Sequence, residues 1–276
     1  MTSDATPAPR AEASVAARKA QAEVRAIAQS CDRHEARALL DAAQLALIDL
    51  DGCLAFGNVP HPAASALLDR LDGRYAILSN NSTQTPDELA GILGANGLAI
   101  DPQRILLAGS TMVDVLAAEY AGRRVCLLAN EGILAYARNA GLHLTGDGAD
   151  VVALTRDPTL THEKLSVALE ALHRGAALVA SNPDLTHPGP DCVPVLETGA
   201  ILAIFRACMP TLAWRIIGKP DPGMFEAALR RFDCTAERAV MIGDNPETDG
   251  AGARNCGIAP ILLGPGQPLP NIAALV

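Results

Sequence analysis

Aromatic side chains are scarce in this chain: one Trp, three Tyr and four Phe make up 3% of 276 residues. Its core must therefore be built mainly from Ala, Leu, Val and Ile. A basic excess is lacking too, since 22 Lys and Arg face 31 Asp and Glu for a formal charge of −9. That sign excludes nucleic acid as the main partner, because phosphate-backbone binding needs a basic face. No C-x-x-C pair occurs among the seven cysteines (31, 53, 126, 192, 208, 234 and 256), and their number is odd. A disulfide framework or zinc site is not expected, and a reducing compartment is the simpler reading. There is no apolar run of about 18 residues, so no membrane partner is expected. The amino-terminal region has no apolar signal core, and residues 1–43 balance six Lys/Arg with six Asp/Glu, unlike acid-poor transit peptides. The expected location is cytoplasmic.

What is present is a globular composition, 49% hydrophobic and 19% charged, long enough for one large α/β domain or two smaller ones. The first ten residues read as a flexible tail. Residues 11–43 contain neither Gly nor Pro, and Val24, Ile27 and Cys31 fall at helical spacing, so one or two amphipathic helices are expected there. Such helices would serve as a decoration of the core, a dimer contact or a lid. Beyond them, short apolar runs alternate with helical stretches. The strand candidates are 45–49, 75–79, 105–108, 125–129, 151–154, 177–181, 215–217, 239–242 and 261–263. The helix candidates are 62–71, 86–95, 111–120, 161–173, 198–207, 222–232 and 247–256. This alternation implies βαβ units and a mostly parallel sheet, whose ligands sit beyond the carboxyl ends of the strands.

Four polar clusters occupy such positions. The first strand candidate runs into Asp49-Leu50-Asp51-Gly52, and the second ends in Ser79-Asn80-Asn81-Ser82. Lys219 lies in Gly218-Lys219-Pro220, just before Asp221-Pro222, a good N-cap and first-turn pair. The run Val240–Gly243 leads to Asp244-Asn245 and then to Asp249. Asp49, Asp51, Asp244 and Asp249 at one sheet edge would repel one another unless a cation offset them. Mg2+ suits such an all-oxygen set, and Lys219 adds one fixed positive charge. Asp49 is then a candidate nucleophile and Asp51 a candidate acid/base, with Ser79, Lys219 and backbone N–H groups after Asp49 holding phosphate oxygens.

Taken together, these motifs resemble the haloacid dehalogenase (HAD) superfamily of phosphatases, in particular the subclass with a large α/β cap. The resemblance covers residues 43–263. It implies a Rossmann-like parallel-sheet core with an inserted α/β cap and, in this chain, an extra N-terminal helical segment. The expected layout is tail and helices in 1–43, core in 44–121 and 193–276, and cap in 122–192. By resemblance, Asp49, the backbone carbonyl of Asp51, and Asp244 bind Mg2+, and Asn245 and Asp249 support them. Leu50, Gly52, Ser79, Asn80, Asn81 and Lys219 surround the phosphate. Ser181-Asn182-Pro183-Asp184 is similar to the family's T-N-P-D segment, and His187 stands where relatives reach the substrate. Leu196-Glu197-Thr198-Gly199-Ala200 departs from the family's P-G-x-G-S. The implied activity is hydrolysis of a small phosphorylated metabolite through an aspartyl-phosphate on Asp49. Two alternatives share these motifs: phosphotransfer to another acceptor, and a weakly active binding or regulatory protein. Relatives often dimerise through the cap, which makes a homodimer an expectation.

Overall fold

The computed structural model describes residues 32–189 and 193–276. The expected tail and most of the N-terminal helical stretch lie outside the described residues. The first helix, α1 (Arg33–Ala42), starts from a capping box in which Asp32 accepts from the amides of His34 and Glu35 and Glu35 accepts from the Asp32 amide. Ala36 and Leu40 are buried, and Arg33 and Arg37 both donate to the Ala274 carbonyl, at 3.0 and 3.1 Å. This part of the amino-terminal segment therefore decorates the core.

The chain continues through β1 (Leu45–Asp49), a small flap of β2 (Ala55–Phe56) and β3 (Val59–Pro60), then α2 (Ala64–Leu71), β4 (Tyr75–Ser79), α3 (Pro86–Ala95), β5 (Ile105–Leu107) and α4 (Ala108–Glu119). It then forms β6 (Arg124–Leu128), α5 (Glu131–Asn139), β7 (His143–Leu144), β8 (Val151–Leu154), α6 (His162–His173) and β9 (Ala177–Ala180). An antiparallel hairpin follows, β10 (Thr186–Pro188) with β11 (Pro194–Leu196), and then α7 (Thr198–Cys208) and β12 (Trp214–Ile216). The last elements are α8 (Pro222–Arg231), β13 (Ala239–Gly243), α9 (Ala251–Asn255) and β14 (Ala259–Leu262).

The strands make two five-stranded parallel sheets, ordered β14-β13-β1-β4-β5 and β12-β9-β8-β6-β7. Leu45 and Leu47 of β1 face one apolar cluster while Ala46 and Ile48 face another, so β1 is buried on both sides, as a central parallel strand must be. The cluster holding Leu47 also contains Met112, Val125, Val179 and Phe225, and so it joins the two sheets through α4 and α8. Strand order reverses beside β1: the chain runs from β1 to β4 and β5, and later returns to β13 on the other flank. A crevice opens at such a switch point.

Several elements depart from expectation. The strand at 214–216, placed with the core by sequence, pairs with β9 in the second sheet, from Trp214 opposite Leu178 to Ile216 opposite Ala180. The second sheet therefore extends past residue 192, and the expected cap of 122–192 omits one of its strands. Helix α4 begins at Ala108, where a strand residue was expected, and α5 was not anticipated at all. The expected helix over 247–256 is a π-helical turn, Pro246–Gly250, followed by the short α9. Such π-turns are frequently found at functional sites.

Candidate active site

β1 delivers Asp49 to the carboxyl edge of the first sheet, opposite Leu78 of β4, and β13 ends one residue before Asp244. Lys219 arrives from the other direction, three residues beyond β12 of the second sheet. Its Nζ lies 2.5 Å from Asp49 Oδ1, 2.7 Å from Asp249 Oδ1 and 3.0 Å from the Leu78 carbonyl. Asp249 Oδ2 accepts from the Asn245 amide at 3.1 Å, while the Asn245 side chain caps the π-turn through the Glu247 and Thr248 amides. The Ser79 hydroxyl lies 3.4 Å from Asp51 Oδ2 and accepts from the Asn81 amide at 3.1 Å.

Two glycines allow this closeness. Gly52 has φ +89°, and a Cβ there would stand 2.3 Å from Asp244 Oδ2. A Cβ on Gly243 would stand 2.2 Å from Asp249 Oδ2. The carboxylates could not approach past larger residues.

Charge in the site is unbalanced. Burial pushes the Asp49 carboxyl well above its usual range, with Lys219 opposing and Asp249 and Asp51 adding to the rise. Burial also raises Asp244, helped by Asp249. Asp51 is exposed at the mouth, yet the protein around it raises its pKa against the pull of Lys219, Ser79 and His187. Desolvation would lower the pKa of Lys219, but Asp249 and Asp49 more than reverse this, so the ammonium stays charged. One lysine thus faces four carboxyl groups.

The donor set fits a hard divalent cation. Asp49, Asp244 and Asp249 each bring a carboxylate oxygen within 4.8 Å of the others, and all are the oxygen ligands that magnesium selects. Both oxygens of Asp249 already accept from Lys219 and Asn245, which leaves Asp49 and Asp244 as the carboxylates free to ligate. No zinc-type His/Cys group accompanies them among the described residues.

The remaining expected residues are placed differently. Leu50 is fully buried in the core, so only its backbone can face the site. The Gly52 amide is engaged with the Ala55 carbonyl at 2.9 Å. Asn81 Oδ1 accepts from the Thr83 and Gln84 amides and its Nδ2 donates to Gln84, so this side chain braces its own turn. Asn80 Nδ2 donates to Asp184 Oδ2 and to the Lys219 carbonyl, both at 3.0 Å. Through these two bonds it joins the loop after β4 to the loops after β9 and β12. His187 lies on β10, paired with Val195 of β11 and three residues beyond the Asp184 that holds Asn80.

Sequence reasoning passed over the partners of these residues. Asp184 holds Asn80, and Glu197 lies 2.7 Å from His187 Nδ1. Four carboxyl ends of second-sheet strands converge on the loop after β4. Asn130 donates to the Thr83 carbonyl (2.7 Å), the Arg156 amide to Ser82 Oγ (3.0 Å), Asn182 to the Asn80 carbonyl (2.7 Å), and the Lys219 carbonyl accepts from Asn80 Nδ2 (3.0 Å). Asn130 stands as an N-cap in the sequence, a detectable signal; the other contacts have no local signature.

The haloacid dehalogenase-like hydrolase family model matches residues 46–143, and a HAD-hydrolase-like model matches residues 216–271. Between them these segments hold Asp49, Asp51, Ser79, Lys219, Asp244 and Asp249, the groups that the structure gathers. The chain belongs to the haloacid dehalogenase-like hydrolases. It is an enzyme of the phosphatase branch of these HAD hydrolases, with the family's Rossmann-like core and a cap. A dihydroxyacetone phosphatase of Corynebacterium glutamicum is 29% identical over 220 residues, which is 79% of each chain. The solved 4-nitrophenylphosphatase of Thermotoga maritima is similar with TM-score 0.78 at 26% identity, covering 84% of this chain and 90% of that one. A glycerol phosphate phosphatase of Mycobacterium tuberculosis, solved in complex with magnesium, is similar with TM-score 0.76 at 26% identity, covering 82% and 69%. Among the described residues no helix is long and apolar enough to cross a membrane.

Proposed function

We propose that this HAD phosphatase hydrolyses the phosphate ester of a small polyol or sugar through an aspartyl-phosphate on Asp49, with magnesium as cofactor. The observation that carries the reading is the buried Lys219 ammonium bridging Asp49 and Asp249 at the sheet edge, with Asp244 within reach. The names of the relatives support the substrate class: dihydroxyacetone phosphate, glycerol phosphate and acid sugar phosphates.

Asp49 attacks phosphorus, and the ester P–O bond breaks as Asp51 gives its proton to the departing oxygen. Water then attacks phosphorus, Asp51 takes its proton, and the bond to Asp49 breaks to free inorganic phosphate. Ser79 and Lys219 hold phosphate oxygens during both displacements. Asp49, Asp244 and the Asp51 backbone carbonyl would hold the magnesium, with Asp249 and Asn245 fixing the surroundings. When bound, magnesium supplies the positive charge that lets a phosphate dianion approach a carboxylate.

The test is release of phosphate from p-nitrophenyl phosphate and from glycerol 3-phosphate. We expect activity that chelation removes and magnesium restores, with Asp49→Asn lowering kcat at least about 10³-fold. Undiminished turnover in excess chelator or in the Asp49→Asn protein would refute the mechanism.

A further inference from the structure

A cavity of about 560 Å³ lies at the β5 edge of the first sheet, with residues of α3, α4, α5 and α8 in its wall. That volume suits a small organic ligand. None of Asp49, Asp51, Ser79, Lys219, Asp244 and Asp249 lines it. Helix α5 follows β6 of the second sheet, whereas α3 and α4 flank β5 of the first, so the cavity is bounded by elements of both halves.

Two opposite charges stand side by side in the wall. Asp114 of α4 and Arg231 at the end of α8 are 3.9 Å apart, too far for a hydrogen bond, and their side chains are 42% and 40% exposed. Asp114 Oδ1 accepts from the Tyr136 hydroxyl of α5 at 3.0 Å, and Arg231 reaches the Gln103 carbonyl at a long 3.5 Å. Burial raises the Asp114 carboxyl against the pull of Tyr136 and Arg231, so the protein answers this charge incompletely. The second arginine of the lining, Arg104, is already engaged. Its Nη1 donates to the Gly73 and Tyr75 carbonyls, and its guanidinium lies 5.2 Å from the Tyr75 ring and 5.6 Å from that of Phe232. Asp87 and Asp101, both exposed, add negative charge to the same wall. A plain anion would therefore meet three carboxylates against one available arginine, and a plain cation seated on Asp114 would crowd the guanidinium beside it. An ammonium and a carboxylate borne on one carbon answer both groups at once. Pro86, Pro102 and Phe232 supply apolar lining for the rest of such a molecule.

The helices of the wall also touch the catalytic segments. Helix α3 opens with Pro86, immediately after Thr85, which caps it at the end of the loop that follows Ser79. At the start of α4 the Gly109 amide donates to the Asn81 carbonyl at 3.3 Å, and a Cβ on Gly109 would stand 2.9 Å from Ser82 Cα. Helix α5 starts from Asn130, which holds the Thr83 carbonyl, and α8 starts three residues after Lys219. Each of the four helices thus meets, at its amino end, a segment that carries or follows a catalytic group.

We propose that this cavity is an effector site for a small zwitterion with an apolar remainder, an apolar α-amino acid, whose ammonium bonds Asp114 and whose carboxylate bonds Arg231. Bound there, it ties α4, α5 and α8 together and favours the seated arrangement of the loop after Ser79, so that a phosphate ester binds more tightly.

The experiment uses the full chain and leucine as the probe, with 3-methylbutylamine and 4-methylpentanoate as its single-charge counterparts. Calorimetric titration should show one saturable site for leucine, at least about tenfold tighter than for either counterpart. Arg231→Gln and Asp114→Asn should each weaken leucine at least about tenfold while kcat without leucine is unchanged. Saturating leucine should lower KM for p-nitrophenyl phosphate by about fivefold, and Arg231→Gln should abolish that response. No saturable binding of leucine at millimolar concentration, or equal binding by the unaltered protein and the variants, would overturn the site. Equal or tighter binding of the amine would overturn the zwitterion, and leucine binding without a change in KM would overturn the effector role. If Asp114→Asn does not fold, Arg231→Gln, an exposed side chain at the end of α8, carries the test. The calorimetry needs no turnover, whereas the KM response rests on the phosphatase reading. Absence of magnesium-dependent hydrolysis in every condition would overturn that reading and leave the binding result to decide the site.

Discussion

At the scale of single residues, the site is a problem of compensating charge. Lys219 is buried, and it bonds two carboxylates that are themselves buried. Removing one member of such a group leaves uncompensated charges behind, which is far costlier than losing a surface pair. Lys219→Met should therefore lose about 3–5 kcal/mol of stability in urea unfolding with chelator present. Magnesium should return part of that loss, and phosphate release should remain absent. The residues of this set were legible because each lies at the end of a strand or in the loop or turn that follows one, as the switch-point rule requires. The partners that Asn80 and Asn81 take were not legible, for a definite reason. Short amide side chains serve their own turns as readily as a ligand, and nothing local distinguishes the two uses. Here Asn81 is taken by the amides of Thr83 and Gln84, and Asn80 by Asp184.

At the scale of elements, strands were easier to read than the joints between them. β1, β4 and β13 are apolar runs bounded by Asp, Ser or Gly, and the structure reproduces them within a residue. The flap was missed although it carries a signal: Gly57 and Asn58 both have positive φ, and a Gly-Asn pair between short β runs marks a tight hairpin turn. Helix α5 was missed because Gly132 interrupts its first turn and only Asn130 announces its start. Helix α1 tests what the amino-terminal segment contributes. Its capping box starts the helix, and its arginines hold the Ala274 carbonyl, far in sequence from the catalytic motifs. Asp32→Ala should cost about 1 kcal/mol and lower the melting temperature by about 2–4 °C while kcat is unchanged. A change in kcat with no thermal shift would instead make the segment a regulator of the site.

At the scale of the whole molecule, the relation of the two sheets could not be read from the chain. Periodicity tells that 214–216 forms a strand but not which sheet accepts it, because pairing is a long-range property. The structure shows the sheets sharing one apolar cluster and meeting at the Asn80–Thr83 loop. Asn182 is fully buried there and donates to the Asn80 carbonyl, with Ser82 Oγ and Thr198 Oγ1 also within reach at 3.3 and 3.4 Å. Asn182→Leu strands those acceptors, so the cost should be about 1–3 kcal/mol. Because the same loop follows Ser79, turnover at 25 °C should fall as well. Full turnover in a variant that melts earlier would show that the seam braces the fold without aligning the site.

The position of Lys219 has a consequence for modularity. The lysine follows directly on a strand of the second sheet and neutralises an aspartate grown from the first, so neither half owns a finished reaction centre. An exchange of caps between relatives that spliced the chain near residue 192 would import four strands of a five-stranded sheet and orphan the fifth. A graft carried through Lys219 would keep sheet and ammonium together, and the inherited boundary of the donor piece would then coincide with the chemistry it has to serve.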